Sequence, residues 1–169
     1  MDENAISQEI VTAAIEVHRT LGGPGLLERV YEEALVWELN RMGLKVERQK
    51  VLPIRYKTVT LATPLRIDLL VGDLVIVECK ATLDYNPIFE AQALTYLRLS
   101  RLKLALVINF GERLVKDGLH RVANACFQRR RWRPPPTGTS DGTPPRQKVA
   151  PRSRAAPTAF AAKQCWAVS

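Results

Sequence analysis

The chain has 169 residues, 46% of them hydrophobic, which suits one domain or a domain with an appendage and lets about two-thirds of the unfolded surface be buried. Its net charge of +8 lies wholly in residues 129–169, where nine Lys and Arg face one acid; residues 1–128 carry sixteen of each. The high isoelectric point therefore says nothing about the core. No stretch is apolar for long enough to span a bilayer, and the opening MDENAISQE is too polar and acidic for a signal peptide. Cys79, Cys126 and Cys165 are too few and too scattered for a zinc cluster or a disulfide framework. The expectation is a reduced cytoplasmic protein with no membrane partner.

Ile6, Ile10, Ala13, Ala14, Val17 and Leu21 recur at helical spacing, and Gly22-Gly23 stops that helix. A second helix is expected after Pro24-Gly25, running to about Met42 with Gly43 as its stop. The stretches LKVERQKVLPIRYK and VTLATPLRIDLLV read as strands, with edges or bends at Pro53 and Pro64. LLVGDLVIVECKA, residues 69–81, supplies the next strand. Asn86 as N-cap and Pro87 in the first turn open a helix to about Ser100. LKLALVINF is an apolar strand, and HRVAN offers a short last one. This order predicts an α/β sandwich around a mixed sheet. Residues 129–169, rich in Pro, Arg, Ser and Thr, read as a disordered basic tail, so the organisation is a domain over 1–128 and a tail over 129–169. The tail suits either a nucleic-acid arm or a dispensable extension. Deleting it is expected to leave the domain folded, with an unchanged thermal melt.

Three polar patterns interrupt the apolar elements. Glu78 and Lys80 share one face of a strand made almost wholly of Leu, Val and Ile, where an unpaired carboxylate costs several kcal/mol. Asp68 breaks the preceding strand in the same hairpin. An even two-residue turn at Gly72-Asp73 would point Asp68 away from Glu78. A three-residue loop over 71–73 would pair it with Ile76 and bring it to the face of Glu78 and Lys80. An odd-length loop or a bulge is therefore expected. On the second helix, Leu27, Val30, Tyr31, Ala34 and Leu35 form the expected buried stripe with Glu28 on its flank. By spacing alone, Glu28 is better read as a solvated acid near a helix N-terminus. Gln92 and Tyr96 form an i,i+4 pair on the face of Ile88 and Leu99, and a satisfied structural Gln beside a core Tyr accounts for them taken alone.

Together these residues resemble a known family. GLLERVY (Gly25, Glu28, Tyr31) matches the motif of the GxxExxY proteins, and RIDLLVGDLVIVECKA, EAQALTYL and LVINFGERLVKDG match that family's later blocks in order. The resemblance covers roughly residues 6–124. It implies a three-layer restriction-endonuclease-like core with a mixed central sheet flanked by helices, in the PD-(D/E)XK nuclease superfamily, with the Gln-xxx-Tyr element of its RecB-like members. Cys79 stands where the pattern is usually aliphatic, and the tail has no counterpart.

The resemblance implies a phosphodiester hydrolase using Mg²⁺, with Mn²⁺ as a substitute, on nucleic acid, DNA ahead of RNA. Mg²⁺ takes oxygen ligands and few carboxylates. Asp68, Glu78 and the backbone carbonyl of Cys79 would supply them, and Glu28 would complete the site or hold a second ion. Lys80 would orient water or stabilise developing charge, and Gln92 and Tyr96 would position Lys80 or the phosphate. Two other readings remain open on the sequence: a catalytically silent nucleic-acid-binding module, and a regulatory or interaction protein in which Asp68, Glu78 and Lys80 form a buried ion-pair cluster.

Overall fold

The computed structural model describes residues 1–125. The expected tail over 129–169, and with it the domain boundary at 128, lies outside the described residues. Helices α1 (Glu3–Thr20) and α2 (Glu28–Arg41) precede strand β1 (Val46–Leu52) and a small hairpin of β2 (Arg55–Tyr56) and β3 (Val59–Thr60). Strands β4 (Leu65–Val71) and β5 (Val75–Lys80), helix α3 (Ile88–Ser100), β6 (Leu104–Asn109), a 3-10 turn (Val115–Asp117) and β7 (Leu119–Ala123) follow. The main sheet has the order β1-β4-β5-β6-β7, with β5 and β6 parallel and the other neighbours antiparallel. The mixed sheet expected from the alternation of elements is present.

Each helix is placed by its apolar stripe. In α1 the stripe Ile6, Ile10, Ala13, Ala14 and Val17 is buried against Tyr31, Leu35 and Leu39 of α2 and against Leu69, Val71, Val75 and Val77 of the sheet. Ala93, Tyr96 and Leu97 of α3 bury Ile67, Leu70, Ile76, Ala105 and Val107 on the opposite face. The result is three layers, helix on sheet on helix. Burying each large aliphatic side chain contributes about 1.5–3 kcal/mol, and β5 and β6, covered on both faces, are apolar almost throughout for that reason.

Three expectations need correction. Helix α2 starts after Pro24-Gly25 as expected, at Glu28, because Gly25 takes φ +111° and Leu27 is extended. Its buried stripe is Tyr31, Leu35 and Leu39 together with Glu32, whereas Leu27 is 78% exposed and Val30 is also exposed. The two long strands before residue 71 are each split. Pro53 ends the pairing of β1, and β4 starts only after Pro64, leaving the short hairpin between them. On α3, Ile88, Leu99 and Gln92 are exposed, so Gln92 is not a buried amide. Periodicity identified these helices but left their rotation to be decided by the neighbours they bury against.

Candidate active site

The β4–β5 turn decides where Asp68 points. Gly72 and Asp73 are both left-handed (φ 60° and 59°), and the Leu74 N–H donates back to the Val71 carbonyl at 3.1 Å. Val71 nevertheless pairs with Val75, so the loop holds three residues, 72–74. The odd length is as expected, but the register is displaced by two residues on β5. Leu69 faces Val77, and one further step sets Asp68 opposite Glu78 rather than Ile76. Both carboxylates therefore reach one place.

A distortion in the neighbouring strand completes the convergence. The β1–β4 ladder runs through Arg48↔Leu69 and Lys50↔Ile67 but skips Gln49 and Asp68. Gln49 has φ +53°, a left-handed conformation costing a non-glycine residue about 1–2 kcal/mol. One residue in that conformation turns two consecutive side chains to the same side. Arg48 Nε and Gln49 Nε2 both donate to Oε1 of Glu32, at 2.6 and 2.9 Å, and Gln49 also reaches Asp68 Oδ1 at 3.5 Å. The face of β4 reverses here too: Ile67 sits with Leu70 in the α3-side core, while Leu69 lies on the α1–α2 side.

Asp68 Oδ2 accepts the Cys79 N–H at 3.0 Å, where a ladder bond to β4 would otherwise lie. The next residue, Lys80, turns its carbonyl to the other side and accepts the Phe110 N–H at 2.7 Å. Because the N–H and C=O of one strand residue point the same way, the Cys79 carbonyl is aimed into the gap beside Asp68. The Cys79 thiol is wholly buried on the α1–α2 side, and burial pushes its pKa well up, so it is no nucleophile.

Lys80 Nζ lies 3.8 Å from both Asp68 Oδ2 and Glu78 Oε2. Glu78 is only 2% exposed, and its Oε1 is buried without a hydrogen-bond partner. Burial first, then the charge of Asp68, raises the Glu78 carboxyl to about 8. Burial likewise raises Asp68, opposed by Lys80 and by the Cys79 N–H. Burial alone would lower Lys80, but Asp68, Glu28 and Glu78 outweigh it and hold the ammonium charged. Glu28, half-buried, is raised by burial and by Asp68 and Glu32, with Lys80 opposing, which places it within electrostatic reach of the same cluster.

Tyr96, buried on α3, accepts a hydrogen bond from the exposed Gln92 amide. Burial raises its hydroxyl pKa, the Gln92 hydrogen bond opposes that, and the charges of Glu78 and Asp68 add to the rise. On the other side, Tyr31 is structural. Its hydroxyl donates to the Gly23 carbonyl at 2.7 Å and accepts the Leu26 N–H at 3.2 Å, and its ring stacks on Phe110 at 4.7 Å. These contacts fix the loop before α2 and hence the direction of Glu28.

Three supporting residues are absent from the expected site: Gln49, Glu32 and Asn109. Glu32 lies on a helical stripe with Glu28, Leu35 and Leu39, but the stripe through Leu27, Val30 and Ala34 is equally good by spacing, so periodicity does not choose between them. Asn109 is the third. Fully buried at the end of β6, it accepts the Thr82 N–H at 3.0 Å and donates to the Thr82 carbonyl at 2.9 Å. Gly111 allows that approach, since a Cβ there would lie 2.2 Å from the Thr82 oxygen. Asn109 thus anchors the chain just after Lys80. Asn109→Ala is expected to cost about 2–4 kcal/mol by orphaning both Thr82 backbone groups, read as a lowered melting temperature.

Among the described residues no three His, Cys, Asp or Glu side chains converge as a ready-made cation site. The donors that do converge are hard oxygens: two carboxylates and an aimed carbonyl, one carboxylate oxygen being orphaned. That set suits Mg²⁺ or Mn²⁺, which need few protein ligands, better than a soft metal.

A mixed sheet between helices, with Asp and Glu-x-Lys meeting across an interior hairpin, defines a nuclease-like α/β protein. The model of the PD-(D/E)XK nuclease superfamily matches residues 4–122, and the chain belongs to that superfamily. No curated protein and no solved structure matches it.

Proposed function

We propose that this chain is a divalent-metal-dependent nuclease that hydrolyses phosphodiester bonds of nucleic acid, with DNA as the preferred substrate. The observation that carries this reading is the orphaned, buried Oε1 of Glu78 beside Asp68. A structural ion-pair cluster would satisfy that oxygen, whereas a site built for a cation leaves it waiting.

Asp68, Glu78 and the Cys79 carbonyl would hold Mg²⁺ or Mn²⁺, and Glu28, coupled electrostatically to Asp68 and Lys80, would serve a second ion or a bound water. The cation, when bound, supplies charge neutralisation at the phosphate and a water of lowered pKa. Lys80, between the carboxylates, donates toward the phosphate or holds the attacking water. Its protonation follows its neighbours: free carboxylates keep it charged, and neutralising them lets its pKa fall. Tyr96, hydrogen-bonded by Gln92, would help to position Lys80 or the phosphate. Glu32 acts one step back, as the anchor for Arg48 and Gln49 that keeps the kink at Asp68.

The test is incubation of labelled single- and double-stranded DNA and RNA with Mg²⁺ or Mn²⁺, beside a Glu78→Ala control purified identically. Cleavage by the wild type alone supports the assignment. Equal cleavage by both proteins, or by neither with either ion, removes it.

A further inference from the structure

We propose that the β2–β3 hairpin is a phosphate-gripping arm that holds the substrate strand beside the site. This rests on the nuclease reading for the identity of the polyanion, and on the arm's own features for the rest.

The charge of the described residues is unevenly placed. Residues 45–66 carry six Lys and Arg against one Glu, while the remainder of 1–125 carries ten against fifteen. Within 45–66, Lys45, Arg48 and Lys50 are already paired with Asp73, Glu32 and Glu47. Arg55, Lys57 and Arg66 are exposed and have no carboxylate partner among the described residues. Three unpaired cations among the described residues therefore lie on and at the root of this hairpin.

The hairpin has no structural reason of its own to persist. All four of its strand residues are exposed, and it forms a separate two-stranded sheet. A solitary pair of strands is marginal in water. Its tip keeps Lys57 at φ +53°, where glycine would be free of strain. Tyr56, 58% exposed, lies under the Lys57 ammonium, whose Nζ is 5.4 Å from the ring centre. An aromatic face flanked by two unpaired cations suits a strand with phosphates and bases to offer.

Its position fits as well. The arm springs from the pair Leu52↔Leu65, at the sheet end where Lys80 also closes β5. Asp68 is three residues from Leu65, about 10 Å along the strand. Along the axis of a duplex that is about three base-pair steps. A strand with its scissile phosphate at Glu78 and Lys80 would lie across the root of the arm. The site itself is acidic and repels a polyanion until a cation is present, so binding affinity has to come from a neighbouring surface.

The test separates grip from chemistry. In a Glu78→Gln background, binding of short labelled single-stranded and duplex DNA is followed by fluorescence anisotropy across salt concentrations. Arg55→Ala/Lys57→Ala/Arg66→Ala is expected to weaken binding at least about tenfold. It should also flatten the dependence of log affinity on log salt by about 2 to 3, since each phosphate contact contributes 0.7–0.9. Arg19→Ala/Arg113→Ala/Lys116→Ala removes equal charge elsewhere and is expected to bind as the parent does. Unchanged binding by the arm variant, equal loss in both variants, or no binding by the parent overturns the proposal. If arm-dependent binding holds but the wild type turns over no substrate, the arm stands and the nuclease reading falls. If the wild type cleaves and the arm variant cleaves with unchanged KM, the arm alone falls.

Discussion

Glu78→Gln is expected to abolish cleavage and at the same time to stabilise the metal-free protein. The carboxyl of Glu78 titrates at about 8 when folded against an ordinary value of 4.5. A raised folded pKa means that the native state holds the proton more tightly than the unfolded chain does. Stability is then greatest below about pH 4.5, falls as the pH rises, and levels off above about pH 8. The full drop is about 5 kcal/mol at most, taking 1.36 kcal/mol for each unit. Glutamine has nothing to ionise, so the variant should lack most of this slope and exceed the wild type most at alkaline pH. Mg²⁺ should raise the melting temperature of the wild type and leave that of the variant nearly unchanged. Denaturant melts from pH 5 to 9, with and without Mg²⁺, check each part. A variant with the wild-type slope would show that Glu78 is not the group the fold strains.

Lys80→Ala is expected to lose at least about a thousandfold in kcat, given that positioned charge and proton-handling groups each contribute about two to four orders of magnitude. Binding of the cation should move the other way. The ammonium lies 3.8 Å from both carboxylates, so it competes for the charge that would hold Mg²⁺. Removing it should tighten Mg²⁺ binding by calorimetry while cleavage disappears. A purely structural lysine would give the reverse pattern: weaker folding, with residual activity in proportion to the folded fraction. Lys80→Arg should retain the charge but recover little activity, because a guanidinium keeps its proton whatever the carboxylates carry. Retention of wild-type kcat by Lys80→Ala would remove Lys80 from the mechanism.

The three helices, the order of the core strands and the mixed sheet were legible in the sequence because they follow from periodicities that any packed chain must show. Ile6 to Val17 recur at helical spacing, and LVIVECK can be buried on both faces only in the middle of a sheet. The odd turn was legible too, since two carboxylates on an aliphatic hairpin make sense only on one face. The register was not. Whether the loop began at residue 71 or 72 depended on Gly72 and Asp73 both turning left-handed while Val71 kept Val75 as its partner.

The rotation of α2 was equally hidden. Leu27 and Val30 look buried in any helical projection, yet Tyr31 takes the core position because its hydroxyl finds Gly23 and Leu26 and its ring finds Phe110. Glu32 follows Tyr31 inward and is met there by Arg48 and Gln49, sixteen and seventeen residues away. By itself, then, the sequence determined the identity and order of the elements and the presence of Asp68, Glu78 and Lys80 in one hairpin, because those rest on local spacing. Only the tertiary structure decided that Asp68 faces Glu78, that a left-handed Gln49 and the buried Glu32 hold the kink there, and that Asn109 anchors the chain beyond Lys80. Each of these joins residues distant in the chain, and contact energy between distant residues leaves no periodic trace along the sequence.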